Sequence, residues 1–161
     1  MQNIVPFLWF ENQAEEAAEF YTTVFKDFKN TRIKNVTRNG ESGAGPKEAV
    51  MTVTFEINGQ EYIALNGRPP QFQFSMAISQ FVKCDTQDEV DYLWEKLTEG
   101  GTEIQCGWLT DKYGVTWQIV PVGMWQMVNG KDPKKVAAAM QAMYKMKKLD
   151  LRVLQQAYDN A

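Results

Sequence analysis

The sequence predicts an α+β fold: two βαβββ modules, with helices added at the C-terminus. Three observations carry this. The order strand–helix–strand–strand–strand, read from hydrophobic spacing, occurs twice before residue 122. Each copy opens its helix with a capping-box pattern, Asn12-Gln13-Ala14-Glu15 in the first and Thr86-Gln87-Asp88-Glu89 in the second. Each copy ends in a glycine hairpin, Asn58-Gly59 and Tyr113-Gly114, because glycine takes a positive φ without strain.

In chain order, the apolar run Ile4 to Phe10 reads as a buried strand. Asn12 then caps a helix whose stripe is Ala14, Ala17, Ala18, Phe20, Tyr21, Val24 and Phe25. Thr31 to Arg38 is β-branched and reads as a strand with Ile33 and Val36 as its apolar members. Asn39 to Pro46 is a glycine-rich loop, and Val50 to Ile57 and Tyr62 to Leu65 are hairpin partners. The proline-rich stretch 66–74 is a connector. Ser75 to Cys84 reads as a strand, and Val90, Leu93, Trp94 and Leu97 give the next helix its buried side. Thr102 to Gly107, Trp108 to Asp111 and Val115 to Val120 complete the second set of strands. In the last of these Val115, Trp117 and Ile119 point one way and Thr116, Gln118 and Val120 the other. Asp132-Pro133 and Asp150 open two amphipathic helices, which need a surface to cover or a second subunit to clasp. The expected division is therefore 1–66, 67–122 and a helical extension 123–161, in one structural domain overall.

Composition narrows the function. With 17 basic and 20 acidic residues and no long basic tract, a nucleic-acid partner is not expected. The two cysteines make no framework and read as small buried side chains in a reducing compartment. The N-terminus lacks the charge pattern of a signal peptide, and no run approaches the roughly 20 apolar residues of a membrane helix. A soluble cytoplasmic protein without a membrane partner is the expectation. The chain has no histidine at all, which excludes Ser-His-Asp and Cys-His mechanisms and removes the commonest metal ligand.

The stretch CGWLTDKYGVTWQIVP at 106–121, with PFLWF at 6–10, AEEAAEFY at 14–21 and AMYKMKKLDL at 142–151, resembles the PhnB-like family. That family belongs to the vicinal-oxygen-chelate superfamily, with glyoxalase I, bleomycin-resistance proteins and extradiol dioxygenases. Its members often carry the label 3-demethylubiquinone-9 3-methyltransferase. The resemblance implies a sheet cup with a metal site inside, and a homodimer. Metal-binding members have a glutamate in the last strand after a D-x-x-G turn. Here that position is Gln118, after Asp111 and Gly114. The other strands offer only Asn66, Ser75 and Ser79, which are neutral, whereas a divalent metal wants anionic or imidazole ligands. No metal or other cofactor is therefore expected, a divalent ion through atypical ligands being the alternative.

What remains for the cup is Trp9, Asn66, Trp108 and Gln118, a set suited to a flat, partly apolar small molecule oriented by amides. Asp111 and Lys112 read as solvated turn residues, and no carboxylate is expected on the inner faces. GESGAGPK at 40–47 has Pro46 and Glu48 where a phosphate loop needs other residues, and lies between strands. It is also no Rossmann-type donor site, so a methyltransferase ranks below a binding protein and below a superfamily enzyme acting on a small molecule.

Overall fold

In a computed structural model that describes residues 4–41, 45–67 and 73–161, the alternation of the sequence becomes two four-stranded sheets. The chain divides into two units, Met1–Gln73 and Phe74–Ala161. The first holds β1 (Phe7–Phe10), α1 (Ala14–Val24), β2 (Arg32–Arg38), β3 (Val50–Ile57) and β4 (Gln60–Asn66). Its sheet order is β1-β4-β3-β2, with β1 parallel to β4 and the other pairs antiparallel.

One face of this sheet takes α1. Val53 and Phe55 of β3 and Ala64 of β4 are fully buried, as are Ala14, Ala17 and Ala18 of the helix, whose small side chains allow close approach. Tyr21 stacks on Phe55 with ring centroids 6.0 Å apart, and Phe55 on Tyr62 at 5.3 Å. Ile33 and Val36 are three residues apart, an odd spacing for one strand face. A bulge between Ile33 and Asn35 absorbs the extra residue, so Ile33 pairs with Phe55 and Val36 with Val53. Asn58 and Gly59 both have positive φ, 49° and 81°, as a type I′ hairpin requires.

The expected cap of α1 is corrected. Asn12 is not the cap; the N-cap is Gln13, whose side chain makes no capping bond. Instead the Ala14 N–H donates to Oδ1 of Asn66 at 2.8 Å, across 52 residues of sequence. A local pattern could not show a cap supplied from another strand. The first strand also starts at Phe7, not Ile4. Of the loop 39–46, residues 42–44 lie outside the described residues, as do 68–72 of the connector.

The second unit repeats the plan with β5 (Gln80–Cys84), α2 (Gln87–Thr98), β6 (Thr102–Glu103), β7 (Trp108–Thr110) and β8 (Thr116–Pro121), ordered β5-β8-β7-β6. Each strand occupies the place of its counterpart, with β5 parallel to β8. Thr86 caps α2 by accepting from the Glu89 N–H at 3.2 Å, and Glu89 reaches back to the Asp85 N–H. Two strands are shorter than expected. Residues 75–79 are turn and coil, so β5 starts at Gln80. β6 stops at Glu103, and the left-handed Cys106 and Gly107, with φ of 63° and 81°, turn the chain into β7.

Beyond β8 the structure has one helix more than expected: α3 (Val122–Val128), then α4 (Pro133–Met143) and α5 (Leu151–Asp159). Pro121 hides α3 because it ends the strand and caps the helix at once. The helices pack on each other and on the end of β8, around Val120, Met124, Met127, Ala139, Leu149 and Leu154. Three polar clips fasten this extension. The Cys106 and Gly107 N–H groups donate to Met146 and Lys147 carbonyls, both at 2.8 Å. Gln87 donates to the Leu149 carbonyl and accepts from the Leu151 N–H. Lys148 pairs with Asp91 at 2.5 Å. Among the described residues no helix is long and apolar enough to cross a membrane.

Gln87→Ala removes two main-chain partners at once and should cost about 1–2 kcal/mol. Hydrogen exchange should locate the loss at the start of α5, with β8 unaffected. The Lys148 ammonium beside Asp91 holds that carboxyl below its usual range. This clip contributes above the unfolded carboxylate pKa and is lost as pH falls through the lowered folded one. Exchange at α5 should therefore rise on acidification more in wild type than in Asp91→Asn.

Candidate functional site

The β7–β8 hairpin is built by one carboxylate. Asp111 accepts from the Tyr113 N–H at 2.9 Å and the Val115 N–H at 3.0 Å through Oδ1, and from Trp117 Nε1 at 2.8 Å through Oδ2. Its residue is 3% exposed, so the reading of Asp111 as a solvated turn residue is corrected. Asp followed three residues later by Gly between two apolar runs is an Asx-turn pattern, and that signal was available in the sequence. Lys112 is exposed and lies over the Tyr113 ring at 5.1 Å.

Asp111 holds Trp117 on the α2 side of the sheet, and strand alternation puts Gln118 on the other side. There the register lines up three side chains across three strands. Phe81 of β5 pairs with Gln118 of β8, and Gln118 with Trp108 of β7. The result is an aromatic–amide–aromatic row. Phe81 is 40% exposed and meets Trp125 of α3 edge-on at 5.4 Å. Gln118 Nε2 donates to Ser79 Oγ at 2.8 Å. Sequence reasoning found Trp108 and Gln118 but missed Phe81, whose place depends on parallel register with a strand 37 residues away.

Trp9 and Asn66 belong to the first unit. Trp9 lies with Phe7 on the face of β1 that turns away from α1, beside Leu65 and Ile63 of β4. A Cβ on Gly67 would overlap the Trp9 indole at Nε1, so only glycine lets the ring lie there. Asn66 has both amide atoms engaged, Oδ1 with Ala14 and Nδ2 with the Val50 carbonyl at 3.1 Å. Its demonstrated work is to tie helix, strand and sheet edge together.

The same open face carries carboxylates that the sequence reading did not expect. Glu56 of β3 and Glu61 of β4 pair in register beyond the Thr54–Ile63 row. Glu56 meets Arg32 at 3.3 Å and Lys34 at 3.2 Å, and Lys34 meets Glu61 at 2.6 Å. Arg32 and Lys34, two residues apart, share that face by alternation, as Glu56 does by alternating with the buried Phe55 and Ile57.

The donor set does not fit the superfamily's metal. The chain lacks histidine, and Gln118 and Asn66 are neutral amides already hydrogen-bonded. Among the described residues no three His, Cys, Asp or Glu are grouped to hold an ion. Neither thiol is shifted toward the thiolate. Burial, then Glu89 and Asp85 nearby, pushes Cys84 up to about 12, and burial also raises Cys106. An open groove of about 440 Å³ between the start of α2 and α5 is lined by none of the residues of the aromatic row.

Comparison with known proteins follows the geometry. The family model described as 3-demethylubiquinone-9 3-methyltransferase matches residues 2–120. A PhnB protein from Bacillus cereus that carries the same methyltransferase label is 37% identical, covers 74% of this chain and 99% of its own, and superposes with a TM-score of 0.68. Protein PA1353 from Pseudomonas aeruginosa is 21% identical over 75% of this chain and 98% of its own, with a TM-score of 0.63. The fosfomycin resistance protein FosX from Listeria monocytogenes shares the fold at 12% identity and a TM-score of 0.51, over 72% of this chain and 87% of its own. No curated protein matches the chain.

Asp111→Asn should destabilise the protein by about 2–3 kcal/mol, because one amide oxygen cannot serve donors on both sides. The Trp117 indole N–H should shift in the NMR spectrum as its partner changes. Gly67→Ala should displace the Trp9 ring and alter the fluorescence of Trp9 in a variant whose other tryptophans are phenylalanine. An unchanged spectrum would mean that the ring does not rest on Gly67.

Proposed function

The chain belongs to the PhnB-like 3-demethylubiquinone-9 3-methyltransferase family of the vicinal-oxygen-chelate superfamily, and we propose that it binds a small, flat, partly apolar molecule without the superfamily's metal site. The row Phe81–Gln118–Trp108 is the observation that carries this reading. Aromatic rings left half-exposed on a sheet face offer area for stacking, and a central amide fixes orientation. Trp9 and Phe7 give the first sheet a comparable aromatic surface, with Asn66 holding the end of β4 in place. In this reading the protein acts as a cytoplasmic homodimer on a small-molecule ligand, with no nucleic acid or membrane partner.

One observation favours a second reading, a metal-independent enzyme. Glu56 and Glu61 supply carboxylates on the open face of the first sheet, where acid–base work would need them. Glu56 already holds two ion pairs, which ranks this second. A methyltransferase ranks third, since the loop 39–49 joins two strands and not a strand to a helix.

Native mass spectrometry of the purified protein should show a dimer with extra mass that leaves on denaturation. Trp108→Ala should fold normally and lose that mass. A folded Trp108→Ala variant that keeps it would place the ligand elsewhere and overturn this reading.

A further inference from the structure

Among the described residues, the open face of the second sheet carries a single charge. Pairing in register puts only threonine, glutamine, valine and tryptophan of β6, β7 and β8 on that face. Glu103 of β6 turns the other way, toward α2, where it accepts from Trp94 Nε1 at 2.9 Å. Neither α3 nor the lead-in 75–79 contains a charged residue. The one charged side chain is Lys83 of β5. It follows Phe81 by two residues and so shares its face, about 7 Å along the strand. Cys84, next in the strand, is buried on the α2 side. Lys83 is exposed and has no ion-pair partner among the described residues.

The apolar surface beside Lys83 is shaped. The Phe81 and Trp125 rings meet at 70° with centroids 5.4 Å apart, and the two residues are 40% and 46% exposed. They form a corner against which a third ring can lie. Val120, the register partner of Lys83, packs with Met124 and Met127 of α3, so α3 lies against the end of the face where Lys83 stands. The chain as a whole is acidic, with 20 acidic and 17 basic residues, so the positive sign of this face is its own. A ring in the corner has an ammonium on a flexible four-carbon stem beside it, and no carboxylate on the strands of the same face.

We propose that this face takes a flat aromatic anion, its ring against Phe81 and Trp125 and its anionic group paired with the Lys83 ammonium. The inference rests on the binding function proposed above and adds the charge of that ligand.

The test uses the full chain and three probes of nearly equal shape: benzoate, benzamide and benzamidinium, which are anionic, neutral and cationic at neutral pH. Titrations are followed by NMR at the indole N–H groups of Trp125 and Trp108. At low ionic strength benzoate should bind about fivefold more tightly than benzamide, the value of one exposed ion pair, and benzamidinium more weakly than either. Added salt should narrow that spread. Lys83→Met keeps most of the stem and deletes the charge; it should fold as wild type does and bind benzoate and benzamide equally. Lys83→Arg should keep the preference. Phe81→Ala should weaken all three probes alike.

Equal binding of benzoate and benzamide to wild type, with both indoles responding, would overturn the anion assignment and leave the binding function standing. Tightest binding of benzamidinium would overturn it as well. A benzoate preference that survives in Lys83→Met would remove Lys83 from the site, and the assignment with it. No response of either indole to any probe would sink both readings.

Discussion

The second unit depends on what Asp111 accepts. Two backbone N–H groups and one indole converge on a single buried carboxylate, and each fixes something different. The backbone bonds set the turn, and the turn sets the β7–β8 register. The indole bond sets which side of the sheet Trp117 occupies. Once Trp117 is committed to the α2 side, alternation leaves Gln118 no choice but the other, and register brings Trp108 and Phe81 to its flanks. A slip of one residue would bury the amide and expose the indole. The candidate site is thus held by a group on the opposite side of the sheet from it.

The two units use one plan and present different chemistry. Their strand orders correspond place for place. On the open face of the first, the hairpin end carries an ion-pair ladder of Arg32, Glu56, Lys34 and Glu61. On the open face of the second, the corresponding chemistry is amide, hydroxyl and aromatic. Duplicated architecture fixes the backbone and leaves the open faces free to diverge, because side chains there do not decide packing. That the family's methyltransferase label travels with this fold therefore says little about the reaction; the faces say more.

Much of this was legible in the sequence, and the failures have a common cause. Strand–helix–strand–strand–strand order, both helices' buried stripes, the Asn58-Gly59 turn and the caps at Thr86, Asp132 and Asp150 depend on neighbours within a few residues. Those are the relations a sequence displays. Phe81 in the row and Asn66 at the start of α1 depend on contacts between distant segments. Asp111 is the exception. Its pattern was local and readable, but a charged residue in a turn reads as solvated unless its three acceptor bonds are known.

The bond from Ala14 to Asn66 has a consequence for how the chain is made. During synthesis α1 emerges long before the residue that completes its first turn, 52 positions later. A helix of 11 residues is marginal in water on its own. While the ribosome is still adding β2 and β3, α1 lacks both its cap and the sheet it lies on. The last strand of the module supplies the cap and completes the sheet. The cap of α1 and the strand β4 that joins β1 to β3 thus reach the first unit together, after α1, β2 and β3 have been made.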